Sequence, residues 1–149
     1  MKTVQKAITD KLETLLVRTH DAEKGFSKAA ENTSHLGLKA YFKTKSEQRK
    51  KFSDELMDEI KALDGDFDKE GSMQGSAHRT WMDLKSYFTN DDAEAMLEEA
   101  ITGEKKSVED YKDVIYDTAI PPSIKSILQT QLSKIENGLS TIKTLEDIH

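Results

Sequence analysis

The sequence predicts an all-α fold: a four-helix bundle of two antiparallel hairpins, joined by a long crossover that itself contains a short helix. Three observations predict it. Apolar residues recur every three or four positions along four separate stretches, with none of the two-residue alternation of strands. Both prolines and most of the seven glycines fall where those stretches end. Charged residues make up 34% of the chain and hydrophobic ones 36%, the mixture of amphipathic helices with solvated outer faces. A chain of 149 residues suffices for one domain with a buried core, so 1–149 is expected to form a single bundle.

The first helix is expected over about 3–32, where Val4, Ile8, Leu12, Leu15, Leu16, Phe26 and Ala30 form one stripe. Asn32, Thr33 and Ser34 read as a stop followed by a cap. The second covers about 35–63, with Leu38, Tyr41, Phe42, Phe52, Leu56, Ile60 and Leu63 on one face. Gly65 supplies a residue suited to the left-handed helix end.

The connection that follows, 66–91, is too long for a turn between neighbouring antiparallel helices. Ala77, Trp81, Leu84 and Phe88 repeat at helical spacing within it, which predicts a short helix over 76–88. A third helix is expected over 91–118, capped by Asn90, Asp91 and Asp92. Pro121 and Pro122 start a fourth, over 122–147, since proline is tolerated in a first helical turn. Two hairpins with one long crossover is the ferritin-like variant of the bundle.

Several functions are excluded or made improbable by composition. A net charge of −6 and the lack of a positive stripe argue against nucleic acid. With no cysteine there is no disulfide, thiolate metal site or cysteine nucleophile. No stretch approaches the roughly 18 apolar residues of a membrane span, and residues 1–10 lack a signal-peptide core, so a cytoplasmic location is expected. The chain also lacks a glycine-rich phosphate loop, a Gly-x-Ser-x-Gly elbow and an EF-hand loop.

The informative residues are the polar ones that interrupt the stripes. Glu23 falls in the first stripe and Glu104 in the third, between Ile101 and Val108. Lys45, Gln48 and Arg49 fill the gap between Phe42 and Phe52, and Gln131 and Gly138 face inward on the fourth helix. A polar layer is therefore expected in mid-bundle, made of Glu23, Lys45, Gln48, Arg49, Glu104, Tyr111 and Gln131. An unpartnered buried carboxylate would cost several kcal/mol or take up a proton, so the layer must be satisfied internally.

Two chemistries can satisfy it. In one, Glu23 and Glu104 are oxygen ligands for iron or manganese, as in carboxylate-bridged bundles. In the other, Arg49 and Lys45, with Tyr111 or Gln131, neutralise and hydrogen-bond the glutamates. No Glu-x-x-His pattern of the metal bundles falls at the level of this layer, the match Glu146-Asp-Ile-His149 standing at the end of the fourth helix, and the second helix offers cations there. The residues therefore favour the ion-pair network and assign no catalytic residue. His78, Arg79 and Trp81, in the crossover, are the remaining candidates for a site.

The segments Asp21-Ala-Glu-Lys-Gly-Phe26, Gln48-Arg-Lys-Lys-Phe52, Gly71-Ser72, Gly75, His78-Arg-Thr-Trp-Met-Asp-Leu84, Gly103-Glu104 and Pro121-Pro122 together resemble a bacterial family of ferritin-like four-helix-bundle proteins, a domain of unknown function. The resemblance spans nearly the whole chain and is most specific over 78–84. It implies a ferritin-like fold and a bacterial origin. Through the wider superfamily it suggests metal or redox work and a stress response. The expectation is then a bundle that binds or assembles around a structural polar core, a homodimer being possible. The alternative is a metal-binding oxidoreductase or iron-handling protein.

Overall fold

A computed structural model of the chain describes residues 2–63 and 93–148, with side chains over 5–63 and 93–142. Four α-helices account for nearly all of these residues: α1 (Lys2–Asn32), α2 (Leu36–Ala62), α3 (Ala93–Ile115) and α4 (Pro122–Ile148). Among the described residues there is no strand. The expected crossover, its helix at 76–88 and Gly65 lie outside them.

Each turn has a local cause. After α1, Thr33 donates its N–H to the Ala29 carbonyl at 3.1 Å, and its hydroxyl accepts from the His35 N–H at 3.1 Å. His35, not Ser34, is the N-cap of α2; its backbone is extended (φ −78°, ψ 113°) and its side chain makes no capping bond. From α2, Lys39 donates its ammonium to the Ala30 carbonyl at 2.6 Å, a cation on the negative end of α1.

The third helix stops at Ile115, short of the expected 118. Asp117 turns the chain there, its carboxylate accepting from the Ala119 N–H at 2.9 Å while its carbonyl accepts from Ile120 N–H at 3.2 Å. Pro121 disfavours a helical Ile120. Its own carbonyl then accepts from Ile124 and Lys125 at 3.1 and 3.0 Å, which opens α4 with Pro122 in the first turn.

The core divides into two apolar clusters. One joins Ile8, Leu12, Leu15 and Leu16 to Phe52, Leu56 and Ile60, to Val114 and Ile115, and to Ile120, Ile124 and Leu128. The other joins Ala22, Phe26 and Ala29 to Leu38 and Phe42, to Met96, Leu97, Ala100 and Ile101, and to Ile142. The first cluster thus gathers the start of α1, the end of α2, the end of α3 and the start of α4. It follows that α1 and α2 are antiparallel, α3 and α4 are antiparallel, and α2 runs parallel to α3. Helix α1 lies along α2, α3 along α4, and α1 also meets α3.

Periodicity located the stripes but missed single positions within them. Ala29 is fully buried where Ala30 was expected, and Met96 and Val114 join the core of α3. Burying a large side chain such as Phe26, Phe42, Phe52 or Leu56 contributes about 1.5–3 kcal/mol each.

Candidate functional site: a charged layer between two apolar cores

The gap between the two clusters is filled by charge. On α2, Lys45 and Arg49 occupy inward positions one helical turn apart, between Phe42 and Phe52. They are 7% and 1% exposed. On α3, Glu104 occupies the matching gap between Ile101 and Tyr111 and has no exposed surface. Arg49 reaches across the bundle and donates through Nη2 to Glu104 Oε1. Its guanidinium carbon stands 5.6 Å from the Phe26 ring centre and 6.0 Å from that of Phe52, within the range of cation–π attraction.

Lys45 is seated differently. Its ammonium lies 5.7 Å from the Tyr41 ring centre and directly against Gly138 of α4. A Cβ at position 138 would come within 2.0 Å of Lys45 Nζ, so glycine's missing side chain is what makes room for the cation. Beside it the Tyr41 hydroxyl donates to the Gly138 carbonyl at 3.4 Å.

Burial governs how these groups ionise. It pushes the Glu104 carboxyl above its usual 4.5, and Arg49 and then Lys45 pull it back part of the way. Burial lowers the Lys45 ammonium; Glu104 opposes that and Arg49 adds to it. The Tyr41 phenol is raised by burial first and by Glu104 second. Two buried cations thus face one buried carboxylate.

A second polar cluster lies toward the first apolar core. The Tyr111 hydroxyl donates to Gln131 Oε1 at 2.6 Å, and Gln131 Nε2 donates to Glu55 Oε1 at 2.8 Å and to the Phe52 carbonyl at 3.5 Å. Thr19 of α1 stands beside the Tyr111 phenol, whose pKa burial pushes up to about 12. All four helices contribute to this cluster.

The structure therefore brings Lys45, Arg49 and Glu104 together, and Tyr111 with Gln131. Gln48 is half-buried, with its Oε1 turned inside. Glu23 differs from Glu104: its side chain is 21% exposed, because Ala22 and Phe26 take the inward positions of that turn. Its carboxylate stands 3.5 Å from His20 Nδ1, and its backbone carbonyl accepts from the Ser46 hydroxyl at 3.0 Å. His78, Arg79 and Trp81 lie outside the described residues.

Sequence reasoning placed Tyr41 on the inward face of α2 without a polar role, and missed Glu55, Ser53 and the flanking pair in which Arg18 donates to Asp110 at 2.6 Å, with Lys106 3.3 Å from the same oxygen. Glu55 and Ser53 were findable. Both stand within one turn of Phe52 on the inward side of α2. Asp110 gave no such signal, since its burial comes from the approach of α1.

An iron or manganese ion at Glu104 would have to compete with the cations around it. Arg49 already engages Oε1, and two buried cations would repel a third. Among the described residues, no three His, Asp or Glu side chains gather closely enough to hold a metal ion.

The fold and this layer define an α-helical bundle whose core is tied across its middle by buried charge. The chain belongs to the family described as Domain of unknown function (DUF2383), which matches residues 7–117. That match spans most of α1 and all of α2 and α3, and so includes Lys45, Arg49 and Glu104; Gln131 and Gly138 of α4 lie beyond it. No curated protein matches the chain. No helix among the described residues is long and apolar enough to cross a membrane.

Proposed function

We propose that the protein is a ferritin-like bundle of the cytoplasm that works by binding or assembly, as a homodimer or with a protein partner, and that its charged layer is structural. The observation that supports this reading is the Arg49–Glu104 pair, in which both side chains are almost wholly withdrawn from solvent and each occupies the other. A buried pair of this kind is a poor source of stability but a good determinant of register, because any slip of one helix leaves two unpaired charges. Lys45, fitted to Gly138, adds the same constraint between α2 and α4.

The rival reading makes Glu23 and Glu104 ligands for iron or manganese in an oxidoreductase or iron-handling protein. It requires Arg49 to leave Glu104 and Glu23 to turn inward. Metal analysis and anomalous diffraction of protein prepared with Fe(II) or Mn(II) decide between the two. The expected result is no metal at Glu104 and an Arg49–Glu104 hydrogen bond. Stoichiometric metal bridging Glu23 and Glu104 would overturn the proposal. Light scattering of the full chain gives the assembly state.

A further inference from the structure

Four buried polar atoms of the charged layer have no hydrogen-bond partner among the described residues: Arg49 Nη1, Glu104 Oε2, Ser53 Oγ and Gln48 Oε1. Arg49, Ser53 and Glu104 are each 99% buried or more. Three of the four atoms come from neighbouring positions of α2, and the fourth belongs to the carboxylate that Arg49 holds. Buried groups left in this state cost about 1–3 kcal/mol each, more when charged, and native cores rarely tolerate several together.

Their chemistry specifies the guest. Arg49 Nη1 can only donate, so it needs an acceptor. Gln48 Oε1 can only accept and needs a donor, as does the ionised Glu104 Oε2; the Ser53 hydroxyl can do either. A metal cation would meet Arg49 and Lys45, and an anion would meet Glu104. A small neutral molecule that both donates and accepts satisfies the set without adding a charge to it, and water is the one at hand in any cell. A buried water typically makes about three hydrogen bonds to groups of this kind.

We infer that the middle of the bundle is a built water site, in which at least one long-lived water bridges Arg49 Nη1 and Glu104 Oε2, with Ser53 or Gln48 as a further partner. This rests on the structural reading of the layer given above. The water completes the Arg49–Glu104 pair, converting a single hydrogen bond into a closed ring.

Two measurements on the full chain test this. In a high-resolution crystal structure, a buried water is expected within hydrogen-bond distance of both Arg49 Nη1 and Glu104 Oε2. Oxygen-17 relaxation dispersion is expected to count at least one fewer long-lived water in the R49M/E104L double variant. The inference is overturned if these atoms are met directly by protein groups, residues 64–92 included, or if the count is unchanged in a folded double variant. A metal in the site would instead sink the structural reading itself, so the two failures are distinguishable.

Discussion

The charged layer and the Tyr111–Gln131–Glu55 cluster solve the same problem in opposite ways. Both place polar side chains where four helices converge. In the cluster, both ends of the Gln131 amide are used, and its one carboxylate, Glu55, is half-buried rather than sealed. In the layer, full charges are sealed from solvent and four atoms lack a partner among the described residues. The difference teaches where the bundle is brittle. A neutral hydrogen-bonded cluster loses one bond when a member is removed; a buried ion pair leaves an uncompensated charge.

The sharpest break is therefore at Arg49. Arg49→Met strands Glu104 and is expected to destabilise the fold by about 3–5 kcal/mol at neutral pH, measured by urea unfolding. The double variant R49M/E104L, which leaves no charge behind, should recover most of that loss. The single variant also carries a pH signature. Burial already raises Glu104 above 4.5, and removing Arg49 takes away the largest influence that lowers it. The folded state then holds its proton over a window in which the unfolded chain has released it. Stability is consequently fully present below about pH 4.5 and is lost as pH rises through the raised folded value. A deficit in Arg49→Met that did not shrink toward pH 4.5 would break the comparison.

The cluster should respond more gently. Tyr111→Phe removes the hydroxyl that donates to Gln131 Oε1 and leaves that acceptor inside, for a loss of about 1 kcal/mol. A loss as large as that of Arg49→Met would mean that the neutral cluster, not the ion pair, is the brittle element.

These two regions were not equally legible in the sequence. The helices follow from apolar spacing alone, since burial on one face of a 3.6-residue repeat leaves a pattern that needs no tertiary information. The interruption of those stripes by Lys45, Arg49 and Glu104 was visible for the same reason. Glu23 sits in an equivalent interruption of α1, yet Ala22 and Phe26 rotate it to the rim. A stripe fixes a residue's direction only to within about half a turn, and a neighbour one position away settles the rest. The role of Gly138 as a seat for Lys45, and the burial of Asp110, depend on how closely two helices approach. No spacing within one helix encodes that.

Lys45 sharpens the comparison from within the layer, because it is the surplus cation. Lys45→Met should leave stability within about 1 kcal/mol of wild type, since Arg49 alone still neutralises Glu104. The effect is readable against pH. Burial holds the Lys45 ammonium below its usual 10.5, so between the lowered folded value and 10.5 the unfolded chain binds more protons. Stability of the wild type therefore gains with rising pH in that window, relative to the variant. Unfolding curves of both proteins at pH 7 and 10 should converge on wild type becoming the relatively stronger. Parallel curves would mean that Lys45 is not desolvated.

The smallest expected effect tests the seat itself. In a helix interior, glycine to alanine gains about 1 kcal/mol from propensity alone. At position 138 the new methyl would fall 2.0 Å from Lys45 Nζ and 3.0 Å from its Cε, so the lysine must give way. It is the end of a flexible chain and can move, but only off a buried seat beside Tyr41. Gly138→Ala is thus expected to change stability by less than about 0.5 kcal/mol in the wild type, the two contributions offsetting. In a Lys45→Ala background the clash is gone, and the same substitution should stabilise by about 1 kcal/mol. The difference between those backgrounds is the coupling between α2 and α4 carried by this one contact. Equal gains in both would show that the glycine is not there to receive the cation.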